Sequence, residues 1–141
     1  MANLSKKVFI DASVFFAFIN RADIKHDEAS AYFRFFGEGE YILYTEHTNL
    51  IEAYDKVFKD ISPSLAKDFL RTIFLSDINI IYADENDVKS ALKMLITYQT
   101  NDLSYHQALT AVLANRRNIQ NICSFAYFHQ LFGLSLFYLP M

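Results

Sequence analysis

Two acidic residues stand in places that call for an explanation. In the stretch VFIDASVFFAFIN (8–20), three apolar residues run into Asp11, and after Ala12-Ser13 the chain turns apolar again at helical spacing. Glu52 lies inside an otherwise apolar helical pattern, between Leu50-Ile51 and Ala53-Tyr54. A carboxylate taken out of water is costly unless it is paired, hydrogen-bonded or bound to a metal. Asp11 therefore reads either as the N-cap of the helix that follows it or as part of a site. Glu52 reads either as a solvated helix residue or as an inward-facing ligand. Carboxylates brought together from separate elements suit a hard divalent cation, Mg²⁺ or Mn²⁺. Such an ion takes oxygen ligands, ionises an attacking water and neutralises phosphoryl oxygens. The chemistry within reach of such a set is phosphodiester hydrolysis.

Other residues carry weaker signals. Asp102 sits at the turn into the segment DLSYHQAL and either shapes that turn or reaches a site. Glu46 ends an apolar run and reads as a cap for the helix bearing Glu52. His106 and His129 either pack structurally against aromatic neighbours or bind a phosphate or a softer metal. Arg116, Arg117, Lys56, Lys59, Lys67 and Arg71 form runs too short to mark a strong phosphate track. Cys123 reads as a small core residue, and as the one cysteine it excludes an internal disulfide and a cysteine-rich zinc site.

The elements that must position these residues alternate. Short apolar strands are expected at KVFID (7–11), YILYT (41–45), NIIYA (79–83), IQNICSF (119–125) and LSLFYL (134–139). Helices are expected over 13–20, from His26 to Phe36, over 47–60, from Pro63 with Ser62 as cap, after Asp84, after Ser104, and briefly over Tyr127–Phe132. GEGE (37–40) should end the second of these. Strands that are apolar on both faces and alternate with helices imply a parallel sheet covered on both sides. In such sheets, sites form at the C-terminal ends of strands, where Asp11 stands.

Hydrophobic residues at 52% allow a full core, and 141 residues fit one domain, 1–141, burying about two-thirds of its unfolded surface. The apolar run before Asp11 is too short for a signal peptide, and no run approaches the ~18 residues of a membrane span. The expectation is a soluble cytoplasmic protein with no membrane association. A net charge of −3 argues against broad electrostatic nucleic-acid binding but leaves room for a local groove. Fourteen Phe and nine Tyr exceed what a core of this size obviously needs, and a homodimer or stable partner interface is expected to use some of them.

The order VFIDASVFFAF, DIKHDEA, TEHTNLIEAY, DLSYHQAL, SFAYFHQLFG resembles the PIN domain family over nearly the whole chain. It is most similar to the small VapC-type ribonuclease toxins of toxin–antitoxin pairs. The resemblance implies a three-layer α/β/α fold with a central parallel sheet of about four to five strands. It matches Asp11 to the acid ending the first strand, Ser13 to a hydroxyl two positions on, and Glu52 to the acid on the helix after the second strand. It also gives His26 a packing or capping role. The third acid of the family belongs to a Leu-Ser-aromatic-x-Asp-Ala motif, which here reads Leu103-Ser104-Tyr105-His106-Gln107-Ala108, with Gln107 in the place of Asp. The fourth belongs to a Phe-Asp stretch followed by a Gly, here Phe125-Ala126 with Gly133 further on, so Ala126 replaces it. The implied catalytic set is Asp11 and Glu52, the metal pair, completed by Gln107 or Asp102. RNA is the implied substrate and a small antitoxin protein the implied partner. With two acids replaced, Mg²⁺ or Mn²⁺ binding should be weak or absent and cleavage impaired. The alternative is a degenerate PIN domain kept as a non-catalytic RNA- or protein-binding module.

Overall fold

The computed structural model describes residues 6–99, 103–126 and 134–139. The elements are β1 (Lys7–Ile10), α1 (Ala12–Ile19), α2 (His26–Glu38), β2 (Ile42–Glu46), α3 (His47–Asp60), α4 (Pro63–Leu75), β3 (Asn79–Ile81), α5 (Glu85–Thr97), α6 (Tyr105–Arg116), β4 (Asn121–Cys123) and β5 (Ser135–Leu136). The strands form one sheet in the order β3-β2-β1-β4-β5, and each neighbouring pair is parallel. Parallel neighbours need crossover connections, which the helices supply on both faces.

β1 is the central strand, and its side chains alternate between the two layers. Val8 and Ile10 pack with Phe15, Tyr32, Phe36, Leu50 and Phe69 of α1 to α4, while Phe9 packs with Ala91 of α5 and with Leu109, Val112 and Leu113 of α6. All three β1 residues are fully buried. β2 and β3 are laid down on one side of β1, and β4 and β5 on the other. The reversal of direction falls between β1 and β4, which opens a crevice at their C-terminal ends. Among the described residues, no helix is long and apolar enough to cross a membrane.

Local chemistry sets the helix starts. Asp11, Glu46, Ser62, Asp84 and Ser104 each accept a backbone N–H from the first turn of α1, α3, α4, α5 and α6, respectively, and Pro63 opens α4. The strands are shorter than their apolar runs, for identifiable reasons. Ile119 donates its N–H to Ala114 O, closing the end of α6 with Asn118 in the left-handed conformation (φ 56°), so it belongs to the helix cap. Phe125 donates its N–H to Ser13 Oγ instead of extending β4. The helix α2 runs through Gly37, whose backbone remains helical. It ends at Glu38, and Glu40 (φ 56°) then turns the chain so that Tyr41 N–H closes back on Phe36 O. The helix expected over Tyr127–Phe132 lies outside the described residues.

Phe9 on the central strand is the sharpest test of this core. Phe9→Ala should lower unfolding free energy by about 3–5 kcal/mol, measured by urea denaturation. Phe74→Ala, at a position 64% exposed, should change it by no more than about 0.5 kcal/mol.

Candidate functional site

The crevice is built from residues that end strands or begin helices. Asp11 directly follows β1, Glu46 closes β2, and Ser124 directly follows β4. The backbone ties the ends together: Asp11 N–H donates to Cys123 O at 3.0 Å, and Thr45 Oγ1 donates to Ile10 O at 2.8 Å. The starts of α1 and α3 are locked by Asn49, which is fully buried. Its Oδ1 accepts Ala12 N–H at 2.9 Å while its Nδ2 donates to Glu46 Oε1 at 3.0 Å.

Asp11 has two structural roles, one of them the N-cap that its sequence position allowed. It caps α1, and it is the hub of a buried polar network, with 3% exposure. Its Oδ2 accepts from Ser13 N–H at 3.0 Å, Ser13 Oγ at 2.6 Å and Ser124 Oγ at 3.1 Å. Its Oδ1 lies 3.0 Å from His106 Nε2 at the start of α6. Burial by itself raises the pKa of this carboxyl. The hydrogen bonds from His106 and Ser13, with the charge of His106 added, outweigh it and hold Asp11 below its ordinary value.

The ring of His106 is the element that joins the acids. Its side chain is 20% exposed, and Nδ1 is 3.8 Å from both Glu46 Oε1 and Glu52 Oε1. An ionised Asp11 only accepts, so Nε2 carries a proton in that contact. A neutral ring would then aim the lone pair of Nδ1 at two carboxylates, whereas a protonated ring aims a positive N–H at them. Burial alone would lower the His106 pKa. The hydrogen bond and charge of Asp11, joined by Glu52 and Glu46, raise it above its ordinary value.

Glu46 is fully buried and saturated as a cap. Its Oε1 accepts Asn49 N–H, Asn49 Nδ2 and Thr48 Oγ1, and its Oε2 accepts Thr48 N–H. Glu52 is 58% exposed at the mouth. Beside it a cleft of about 240 Å³ is lined by Ser13, Asp23, Lys25, Glu52, Lys56 and Phe125, among others. Lys56 Nζ lies over the Phe16 ring and Lys25 Nζ over the Phe125 ring, at 4.6 and 5.5 Å from the centroids.

Of the residues singled out in the sequence, Asp11 and Glu52 meet through His106. Gln107 is the next residue in the first turn of α6, where its N–H donates to Ser104 Oγ. The α6 side chain bonded to Asp11 is thus His106, one position before the place where the family motif carries its acid. Ala126 is exposed just past β4, with its N–H on Ser124 Oγ. Asp102 and His129 lie outside the described residues. His26 Nδ1 contacts Ala17 O at 3.0 Å, a packing role between α1 and α2. Arg116 is bonded to Asp87, with Asp84 at 3.7 Å. Cys123 is buried, and burial pushes its thiol pKa up, so it is inert core. Sequence reasoning missed Ser124, Asn49 and Lys25. Ser124 carried a legible signal, since it stands at a strand end just as Asp11 does.

The donor set does not suit a hard divalent cation as arranged. Both oxygens of Asp11 and both of Glu46 are engaged by protein donors, which leaves Glu52 as the open carboxylate of the three. Among the described residues, no group of three His, Cys, Asp or Glu side chains is placed to hold a metal ion.

Residues 8–125 match the family described as the PIN domain, and the chain belongs to that family. Two solved structures share its fold. One is VapC20 of Mycobacterium tuberculosis, a toxin that cleaves the sarcin-ricin loop. It is 17% identical, with a TM-score of 0.75, and the match covers 84% of this chain and 89% of VapC20. The other is VapBC2 of Rickettsia felis bound to a DNA fragment from its promoter. It is 16% identical, with a TM-score of 0.68, covering 92% of this chain and 96% of that one. A comparison with curated proteins found no match.

The Asp11–His106 pair makes stability depend on pH with a defined sign. A raised His106 contributes fully below its ordinary 6.5 and loses that contribution as pH climbs through the folded value. A lowered Asp11 contributes above its ordinary 3.8 and loses it as pH falls through the folded value. The melting-temperature difference between wild type and His106→Asn should be largest at about pH 5–6 and shrink toward about pH 9. A flat difference across that range would contradict the ion pair.

Proposed function

We propose that this chain is a single PIN-domain unit of the ribonuclease-toxin type in which phosphodiester cleavage is impaired, and that it still binds RNA at the cleft beside Asp11. The observation that carries the reading is the His106 ring set among Asp11, Glu46 and Glu52, together with Gln107 and Ala126 where the resemblance expects acids. Metal-dependent hydrolysis needs carboxylate oxygens free to hold the ion that activates water. Here the buried acids spend theirs on serine, asparagine and imidazole donors. Lys25, which also pairs with Glu28 at 3.3 Å, and Lys56 bring positive charge to a cleft that Asp23 and Glu52 also line, and the Phe125 ring beneath Lys25 is a surface on which a base can stack if Lys25 swings to a phosphate.

The second reading, a PIN domain kept solely for binding, is favoured by the same engaged oxygens. An antitoxin-like protein partner fits the likeness to a toxin–antitoxin assembly. Exposed Phe58, Phe74 and Leu75 on the α3–α4 hairpin, with Ile51 nearby, are apolar surface that such a partner or a second copy of the chain would cover.

Incubated with a structured RNA and Mg²⁺ or Mn²⁺, wild type should cleave no faster than Asp11→Asn, and Gln107→Asp combined with Ala126→Asp should raise the rate once His106→Ala is added. Metal-dependent cleavage by wild type that Asp11→Asn abolishes would overturn the reading. For binding, fluorescence anisotropy with the same RNA should show Lys25→Glu plus Lys56→Glu weakening affinity by about fivefold or more and flattening its salt dependence.

A further inference from the structure

We propose that His106 is the resident partner of the Asp11–Glu46–Glu52 pocket and that its ring is what keeps divalent cations out. This deepens the cleavage-impaired reading and rests on it. The ring bridges the acids: one nitrogen is 3.0 Å from Asp11 Oδ1, and the other is 3.8 Å from an oxygen of each glutamate. An ion bonded directly to Asp11 Oδ1 and to either glutamate has to lie between them, in the volume the ring fills. With metal–oxygen bonds of about 2.1 Å, one ion spans carboxylate oxygens no more than about 4.2 Å apart. The imidazole therefore fills the space that such an ion needs.

The surroundings fix the ring in place. Asp11 cannot rotate away, because Ser13 and Ser124 hold its other oxygen. Glu46 cannot swing inward without giving up its cap on α3. The start of α6 is anchored by Ser104, whose Oγ accepts Gln107 N–H, and by Ala108 and Leu109, which are fully buried. Glu52 alone is free to move, being more than half exposed. Removing the ring would open a space that Asp11 already faces and that Glu52 can enter. Replacing it by a carboxylate would add the oxygen ligand that the pocket lacks.

The test is direct binding of Mn²⁺ alone, with no RNA present, followed by isothermal titration and by loss of the free-ion electron paramagnetic resonance signal. His106→Asp should bind Mn²⁺ about tenfold or more tightly than wild type, and His106→Ala should fall between them. Circular dichroism melts establish that each variant is folded, and His106→Ala stands in if His106→Asp is not. Wild type binding Mn²⁺ as tightly as the variants would overturn the proposal, since the ring would then be a ligand or a bystander. Variants that gain nothing would overturn it too, since something other than the ring would be excluding the ion. That second result would leave the cleavage-impaired reading intact, whereas RNA cleavage by wild type would strike that reading itself.

Discussion

A buried carboxylate at the end of a central strand is the constraint around which this protein is arranged. Asp11 lies where the parallel sheet reverses its build direction, at a point closed off by helices on both faces. Deprived of water, it survives in ionised form because four donors from three parts of the chain reach it. Those donors come from the first turn of α1, the end of β4 and the start of α6. Satisfying one side chain thus fixes where three elements converge, and the crevice geometry follows. A buried network of this kind is stabilising only while every member is satisfied.

The same network decides what the pocket can do. Three acids gathered in one place ordinarily demand a counter-charge, and metal ions and basic side chains are alternative ways of supplying it. In this chain the imidazole of His106 stands among them, 3.0 Å from Asp11 and 3.8 Å from each glutamate, and is a counter-charge when protonated. A covalently attached ring in that place offsets part of the acids' charge when it is protonated. Along the adjoining cleft, Lys25 and Lys56 stand over the aromatic rings of Phe125 and Phe16.

Much of the architecture was legible from local signals. Ser62-Pro63, Asp84 and Ser104 marked helix starts because a cap's chemistry is contained within one turn of chain. Alternating short apolar runs and amphipathic helices led to a parallel sheet in three layers, and the sheet has five strands. Strand ends were less legible. IQNICSF reads as one apolar run, yet Ile119 serves the end of α6 and Phe125 is held by Ser13, because hydrogen-bond partners distant in sequence compete with the ladder. GEGE ended α2 two residues later than Phe36, at Glu38, with Gly39 as its C-cap.

For the site, the sequence by itself determined the fold class, the family resemblance and the presence of Asp11 at a strand end and of Glu52 on the following helix. The resemblance also set the expectation that Gln107 and Ala126 take the places of two family acids. Those are properties of residue type and spacing, and short-range patterns carry them. Only the tertiary structure decided which α6 side chain meets Asp11, that Ser124 and Asn49 complete the network, and that Glu46 is a locked cap facing the same ring. Residues 11, 46, 52, 106 and 124 are separated by long stretches of chain. Their meeting depends on sheet register and helix rotation, which no local pattern encodes.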